Sequence, residues 1–159
     1  MASSKAPTSG EVTVHIDAPP LTVYELVSDV TRMGEWSPET YRCEWIDADG
    51  ARVGARFRAW NRRGRMRWSN RPEVIAAEPG REFAFRRKAA GSVVVWRYRI
   101  AGRDDGADVT ESYELEKASL GVLNWVATAM MGVDDRDADL RAGMSQTLER
   151  VAAVAQQKP

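Results

Sequence analysis

The sequence predicts an α+β fold in which a seven-stranded antiparallel sheet packs against one long C-terminal helix, with two short helices after the first strand. Apolar and polar residues alternate in six candidate strands between residues 41 and 117. The turns between these strands hold three or four residues, which favours antiparallel hairpins over parallel crossovers. After Leu115 the spacing becomes helical. A sheet with one apolar face needs a cover, and the helix provides it.

The first elements are a half-buried strand and a helical segment. Apolar and polar residues alternate over residues 11–17, which predicts a strand with one buried face. Residues 18–20, Ala-Pro-Pro, end this strand, and Pro20 suits the first turn of a helix. Apolar residues then recur at helical spacing as far as Val30, and residues 34–38, Gly-Glu-Trp-Ser-Pro, interrupt the helix.

The other elements follow the same two patterns. Strands are predicted over residues 41–47, 53–61, 65–77, 81–88, 92–101 and 107–117. Residues 120–131 are predicted as a short apolar helix, which is either a flexible lid or partner-binding patch, or ordinary core or a dimer contact. Residues 134–157 are predicted as the long helix, with acidic residues in its first turn. Its apolar stripe consists of Leu140, Met144, Thr147, Leu148, Val151 and Val154 or Ala155.

Composition limits the class of protein. The chain has 159 residues, of which 43% are hydrophobic and 29% charged, with a formal net charge of zero. These values predict one globular domain over residues 11–157 after a disordered segment over residues 1–10, and they do not favour a nucleic-acid binder. With only Cys43 and His15 as thiol and imidazole, we expect no disulfide, no zinc site and no cofactor. Residues 1–10 do not read as a signal peptide, and no apolar run is long enough to span a bilayer. We therefore expect a cytoplasmic protein, which is a monomer or a homodimer.

The predicted sheet has one aromatic face. Because side chains alternate along a strand, the sequence places seven rings on the inward face. They are Phe57, Trp68, Phe83, Phe85, Trp96, Tyr98 and Tyr113. These rings either form plain core or line a cavity, since tryptophan and tyrosine carry polar groups that need a partner or a ligand.

Glu111 is the exceptional residue of the inward face. Its neighbours of the same parity are Val109, Tyr113 and Leu115. A carboxylate there must be paired, protonated or hydrated, because an unpartnered buried charge costs several kcal/mol. It is therefore either a structural hydrogen-bonding group, paired with an arginine or a tyrosine hydroxyl, or a ligand-contacting or acid/base group. Asn70 would be a neutral polar contact in the same pocket.

The remaining polar residues give weaker signals. Residues 52–103 hold 15 basic and 3 acidic residues, which indicates either a solvated sheet face or an anionic partner. His15 is predicted to face outwards without a flanking partner. Cys43 is expected to be a small packed residue, and Asp29 is expected to anchor a loop by hydrogen bonds.

Several segments resemble one known family. They are VTVHIDAPP (12–20), VYELVSDV (23–30), RMGEWSP (32–38), VGARFRAWNRRGR (53–65), EPGREFAF (78–85) and DVTESYEL (108–115). Together they resemble the START-like (SRPBCC) superfamily, in its polyketide cyclase/dehydrase branch, which is common in actinobacteria. The resemblance implies a helix-grip (START/Bet v 1-like) fold with a hydrophobic cavity between the sheet and the C-terminal helix. It also places Trp36 at a turn near the cavity, where it either borders the pocket or packs the short helices onto the sheet.

Two functions are consistent with this pattern. The first is binding of an apolar small molecule, such as a lipid or polyketide, by a carrier or sensor. The second is a polyketide aromatase/cyclase or dehydratase that uses Glu111 for acid/base chemistry. A protein–protein module that uses residues 120–131 is a third alternative. The candidate ligand-binding residues are Trp36, Phe57, Trp68, Asn70, Phe85, Trp96, Tyr98, Glu111, Tyr113 and Met144.

Overall fold

Two antiparallel sheets and a long helix make up most of the structure, a computed structural model that describes residues 9–89, 91–118 and 129–157. The strands are β1 (Ser9–Ile16), β2 (Thr40–Trp45), β3 (Phe57–Arg63), β4 (Met66–Asn70), β5 (Glu73–Glu78), β6 (Glu82–Ala89), β7 (Ser92–Arg103) and β8 (Gly106–Lys117). The helices are α1 (Pro20–Ser28), a 3₁₀ helix (Val30–Glu35) and α2 (Arg136–Ala155). Apart from residues 129–131, which are helical, the predicted helix over 120–131 lies outside the described residues.

The strands form a five-stranded sheet in the order β1-β8-β7-β6-β5 and a three-stranded sheet in the order β2-β3-β4. The described residues thus form eight strands, because the strand predicted over 65–77 is divided between β4 and β5. Pro72 lies at the division and has no N–H to continue a ladder. The Phe57 amide donates to the Pro72 carbonyl at 3.1 Å, and the Val74 amide donates to the Ala55 carbonyl at 2.8 Å. These two bonds hold the corner where the chain passes from one sheet to the other.

The short helices follow β1 as predicted. Pro20 occupies the first turn of α1, where a missing N–H breaks no helical bond. Asp29 lies between α1 and the 3₁₀ helix and accepts hydrogen bonds from the Thr31 amide at 3.1 Å and from the Thr31 hydroxyl at 2.5 Å. Its expected role as a loop anchor is confirmed.

Helix α2 begins where the sequence places acidic residues. The Asp135 side chain accepts a hydrogen bond from the Ala138 amide at 3.1 Å and caps the helix, while Asp137 and Asp139 lie in its first turn. Negative side chains at this end are favourable because the helix N-terminus carries a partial positive charge. No helix in the described ranges has the length and apolar character needed to cross a membrane.

The main hydrophobic core lies between the five-stranded sheet, the short helices and the C-terminal half of α2. Leu148 and Val151 of α2 are fully buried there. They belong to one cluster with Ile16 of β1, Phe83 of β6 and Val109 of β8. This arrangement is the helix-grip fold that the resemblance implied. The N-terminal half of α2 lies over a different part of the molecule, and that part is not solidly filled.

Candidate functional site

A cavity lies between the three-stranded sheet, strands β6 to β8 and the N-terminal half of α2. The space between its walls, including open solvent at the mouth, is about 750 Å³. Only about 90 Å³ of this space admits the centre of a water molecule. The cavity is therefore a narrow slot, and a ligand of more than a few atoms must displace some of its side chains.

Eight of the ten predicted ligand-binding residues line this cavity. They are Phe57, Trp68, Asn70, Phe85, Trp96, Tyr98, Glu111 and Met144. Phe57 and Phe85 pack edge to face, with ring centroids 5.2 Å apart. Alternation on the strands thus identified the cavity wall.

Trp36 does not line the cavity, so its predicted position at the pocket edge is corrected. Its side chain is 1% exposed and lies in the main hydrophobic core. The Arg32 guanidinium lies 5.5 Å from the centroid of the Trp36 ring. The Trp36 carbonyl accepts a hydrogen bond from Arg150 of α2 at 3.3 Å. Trp36 thus packs the 3₁₀ helix against the core, which is the second role considered for it.

Tyr113 also lies outside the lining, although its strand parity was predicted correctly. Its ring packs on Trp96 at a centroid distance of 5.7 Å. Its hydroxyl donates a hydrogen bond to Asp137 of α2, and burial is the main cause that raises the pKa of this hydroxyl. Tyr113 therefore supports the Trp96 ring and joins β8 to the start of α2.

Glu111 is buried in the cavity wall, with 5% exposure. Its Oε1 accepts a hydrogen bond from the Tyr98 hydroxyl at 3.0 Å, whereas its Oε2 has no partner among the described residues. Burial raises the pKa of Glu111 to about 8, and the Tyr98 hydrogen bond opposes this shift. The carboxyl group is therefore mostly protonated at neutral pH. Of the two roles that the sequence left open, the structure shows the hydrogen bond to a tyrosine hydroxyl, and the ligand-contacting or acid/base role stays a prediction.

Two asparagines supply further polar groups to the cavity. Asn61 of β3 accepts a hydrogen bond from the Thr40 hydroxyl at 2.6 Å, but its Nδ2 is buried and has no partner within the part of the chain that the structure describes. Asn70 of β4 is 9% exposed and faces the same space. The sequence placed Asn61 on the inward face with Phe57, so its parity could have identified it as a site residue.

A network of ion pairs borders the cavity at the start of α2. Arg136 pairs with Glu39, which precedes β2, at 2.9 Å and with Asp139 at 2.6 Å. Arg63 of β3 pairs with Asp139 as well. No sequence pattern indicates this network, because its members come from three separate segments of the chain.

Arg87 of β6 is a further lining residue that was not among the predicted ligand-binding residues. It shares the parity of Phe83 and Phe85, so alternation alone places it on the inward face. Burial is the main cause that lowers its pKa; the charge of nearby Arg136 lowers it further, and that of Glu39 raises it.

The remaining predicted residues lie outside the cavity. His15 is not without a partner, because its ring lies 2.8 Å from Asp108, 3.2 Å from Asp17 and 3.4 Å from Asp105. In the described ranges, His15, Asp17 and Asp105 alone bring three possible metal ligands together, and all three are exposed. Cys43 is packed in the core as expected, and burial raises the pKa of its thiol to about 12.

An aromatic cavity between an antiparallel sheet and a C-terminal helix, with few polar groups inside, defines the ligand-binding helix-grip class of the START-like (SRPBCC) superfamily. The chain belongs to the family of polyketide cyclase/dehydrase and lipid transport proteins, whose family model matches residues 7–156. No curated protein is significantly similar to the chain.

Solved structures support the same assignment. The polyketide_cyc-like protein Cgl2372 from Corynebacterium glutamicum is 32% identical over 93% of this chain and 89% of its own, with a TM-score of 0.57. The di-domain ARO/CYC StfQ from the steffimycin biosynthetic pathway has a TM-score of 0.73 at 12% identity, over 94% of this chain and 50% of that one. Major latex-like protein 151 from Panax ginseng has a TM-score of 0.69 at 12% identity, over 95% of this chain and all of its own. The last two show the fold alone.

Proposed function

We propose that the protein binds an apolar small molecule carrying a hydroxyl or carbonyl oxygen, as a carrier or sensor. The observation that carries this proposal is the pair of buried, unpartnered polar atoms in an aromatic cavity, Oε2 of Glu111 and Nδ2 of Asn61. Leaving such an atom unpaired costs about 1–3 kcal/mol. A ligand oxygen that reaches either atom recovers part of that cost, so these atoms favour a guest of matching polarity.

The shape of the slot limits the ligand. Aromatic rings make up much of its wall, and the water-accessible part is narrow. A flat aromatic molecule or a slender chain fits such a space with less side-chain movement than a bulky one. The aromatic rings then supply apolar contact area, while Glu111 and the asparagines set the orientation.

The test uses 2-naphthol and naphthalene as a matched pair that differs by one hydroxyl. We expect 2-naphthol to bind more tightly and to shift the side-chain amide signals of Asn61 and Asn70 in ¹⁵N NMR spectra. Native mass spectrometry of the purified protein reports whether an apolar passenger is already present. If no passenger is found, and neither compound moves the two amide signals, the proposed function is wrong.

A second candidate is an aromatase/cyclase or dehydratase activity that uses Glu111. The observation that favours it is the raised pKa of this carboxyl, about 8, because an acid/base group works best with a pKa near the working pH. The test compares wild type with Glu111→Gln on a poly-β-ketone thioester. An enzyme is supported if the variant loses turnover but still binds 2-naphthol. If wild type shows no turnover, the result argues for the carrier.

A further inference from the structure

Arg87 is a cavity residue whose charge has no direct counter-charge. Its guanidinium lines the same slot as Phe85 and Trp96. It makes no hydrogen bond and no ion pair with any residue in 9–89, 91–118 or 129–157. The neighbouring Arg86 points to the opposite face of β6 and pairs there with Glu116 at 2.6 Å.

The charges around Arg87 do not cancel. The network at the start of α2 holds two cations, Arg63 and Arg136, and two anions, Glu39 and Asp139, which are paired with one another. Arg87 adds one further cation to this group. Arg87, Arg136 and Glu39 line the same cavity, and the charge of Arg136 lowers the pKa of Arg87 whereas that of Glu39 raises it.

The Arg87 guanidinium cannot become neutral by losing its proton, because arginine stays charged at any physiological pH. Arg87 is half-buried, so water reaches part of its guanidinium and leaving it unpaired costs less than the several kcal/mol of a fully buried cation. The two Glu39 oxygens already accept hydrogen bonds from Arg136, at 2.9 and 3.0 Å. Glu39 is thus already engaged, and an anion that enters the slot would supply the counter-charge that Arg87 lacks.

We propose that Arg87 binds the carboxylate of an otherwise apolar ligand in the cavity. This inference rests on the proposed function and specifies the class of ligand as an apolar monocarboxylic acid. The guanidinium offers two parallel N–H groups that match a carboxylate. One carboxylate also balances the single excess charge, whereas a phosphate dianion would leave the site negative.

The position of Arg87 indicates how such a ligand lies. The Glu111 carboxyl is neutral for the most part at pH 7. Glu111 lies opposite Tyr98, which pairs with Phe83 of β6, whereas Arg87 pairs with Val94 further along the same two strands. Arg87 and Glu111 therefore form two separate polar regions of one slot. A guest that satisfies both is an acid with a hydroxyl or carbonyl group further along its apolar skeleton.

The experiment compares 2-naphthoate with 2-naphthamide, which have the same shape and differ in charge. Affinities are measured by calorimetry at pH 7.5 for wild type, Arg87→Gln and the matched control Arg86→Gln. We expect wild type and Arg86→Gln to bind 2-naphthoate at least about tenfold more tightly than 2-naphthamide, as for a hydrogen bond between charged groups. We expect Arg87→Gln to lose this preference and to bind 2-naphthamide within about twofold of wild type. Arg87→Lys keeps the positive charge but not the two parallel N–H groups, so it should retain part of the preference for 2-naphthoate.

Three results would overturn the assignment. One is equal binding of 2-naphthoate and 2-naphthamide by wild type, which does not depend on any variant being folded. The second is a preference for the carboxylate that persists in Arg87→Gln. The third is tighter binding of 2-naphthyl phosphate than of 2-naphthoate, which would make the ligand a phosphate. If 2-naphthol still binds in these cases, the proposed function stands while the carboxylate inference fails.

Discussion

Tyr98 and Glu111 lie directly opposite each other on adjacent strands, and the Tyr98 hydroxyl donates a 3.0 Å hydrogen bond to the Glu111 carboxyl. Both side chains are buried, at 4% and 5% exposure. Burial also raises the pKa of Tyr98 well above its usual value, so its hydroxyl remains a donor. The pair gives the cavity one fixed hydrogen bond and one free carboxyl oxygen, and several predictions depend on it.

The raised pKa of Glu111 predicts that stability falls as the pH rises. The folded protein holds the Glu111 proton up to about pH 8, whereas the usual pKa is 4.5. Between these values the folded state binds more protons than the unfolded state, so the free energy of unfolding decreases with increasing pH. Each pH unit over which only the folded state holds the proton lowers the free energy of unfolding by roughly 1.4 kcal/mol. Because water entry relieves part of this cost, we expect the free energy of unfolding to fall by about 2 kcal/mol between pH 5 and 8.5.

Urea denaturation of wild type and Glu111→Gln at several pH values measures this effect. The glutamine is neutral, retains an oxygen for the Tyr98 hydroxyl and does not titrate. The variant should therefore show a flatter pH dependence and exceed wild type in stability above pH 8. Parallel curves for the two proteins would mean that Glu111 is not buried as described.

Removal of the Tyr98 hydroxyl should raise the pKa of Glu111 further. In wild type the hydrogen bond from Tyr98 favours the ionised carboxylate and opposes the effect of burial. Tyr98→Phe removes that bond and keeps the ring. A ¹³C NMR titration of the Glu111 carboxyl carbon reports the pKa in both proteins, and an unchanged or lower value in the variant would contradict the hydrogen bond.

The ion pairs of Arg136 should stabilise the protein more than those of Arg141. Arg136 and its partners Glu39 and Asp139 have side chains exposed by only 16–19%, and a partly buried pair that loses one partner leaves an unpaired charge. We expect Arg136→Met to lower the free energy of unfolding by about 2–3 kcal/mol. Arg141→Met removes an exposed pair with Asp137 and should cost less than about 1 kcal/mol. Chemical denaturation of both variants measures the two free energies of unfolding. Similar losses of stability in the two variants would refute the prediction.

Much of the fold and the cavity wall could be predicted from the sequence, because alternation on a strand fixes which side chains share a face. It placed Tyr98, Glu111 and Asn70 in the cavity without any structural information. Arg87 has the same parity as Phe85, so the same rule places it on the inward face. It was not predicted there because an arginine is usually a surface residue. Parity placed Tyr113 on the inward face correctly, but its ring packs on Trp96 and its hydroxyl bonds to Asp137, so it does not line the cavity.

Other features could not be predicted, since they depend on contacts between distant segments. Trp36 lies in a loop, where no periodicity indicates the direction of a side chain. The ion pair between Arg136 and Glu39 joins residues 97 positions apart. Pro72, by contrast, was a usable signal, because a proline within a predicted central strand argues for a break. It divides that strand and produces the second sheet.

The pKa of His15 should depend mainly on Asp108. The hydrogen bond with Asp108 is the largest cause that raises the His15 pKa, and the charges of Asp105 and Asp17 add smaller effects. Because the chain holds a single histidine, its ¹H NMR titration is read without ambiguity. We expect Asp108→Asn to lower this pKa more than Asp105→Asn does. The reverse order would show that the ring does not pair with Asp108.

Trp96 and Trp60 offer a matched pair that separates cavity wall from outer surface. Trp96 lines the slot, whereas Trp60 of β3 lies between the guanidinium groups of Arg42 and Arg58, 4.8 and 4.7 Å from its ring centroid. Replacing Trp96 by alanine removes a large part of the apolar wall. It should weaken binding of 2-naphthol at least about tenfold, because a buried aromatic ring contributes well over 1 kcal/mol of contact energy. Trp60→Ala makes the same chemical change away from the slot and should leave the affinity within about twofold. Calorimetric titration of both variants at equal fractions folded tests this, and equal weakening by the two substitutions would place the binding site elsewhere.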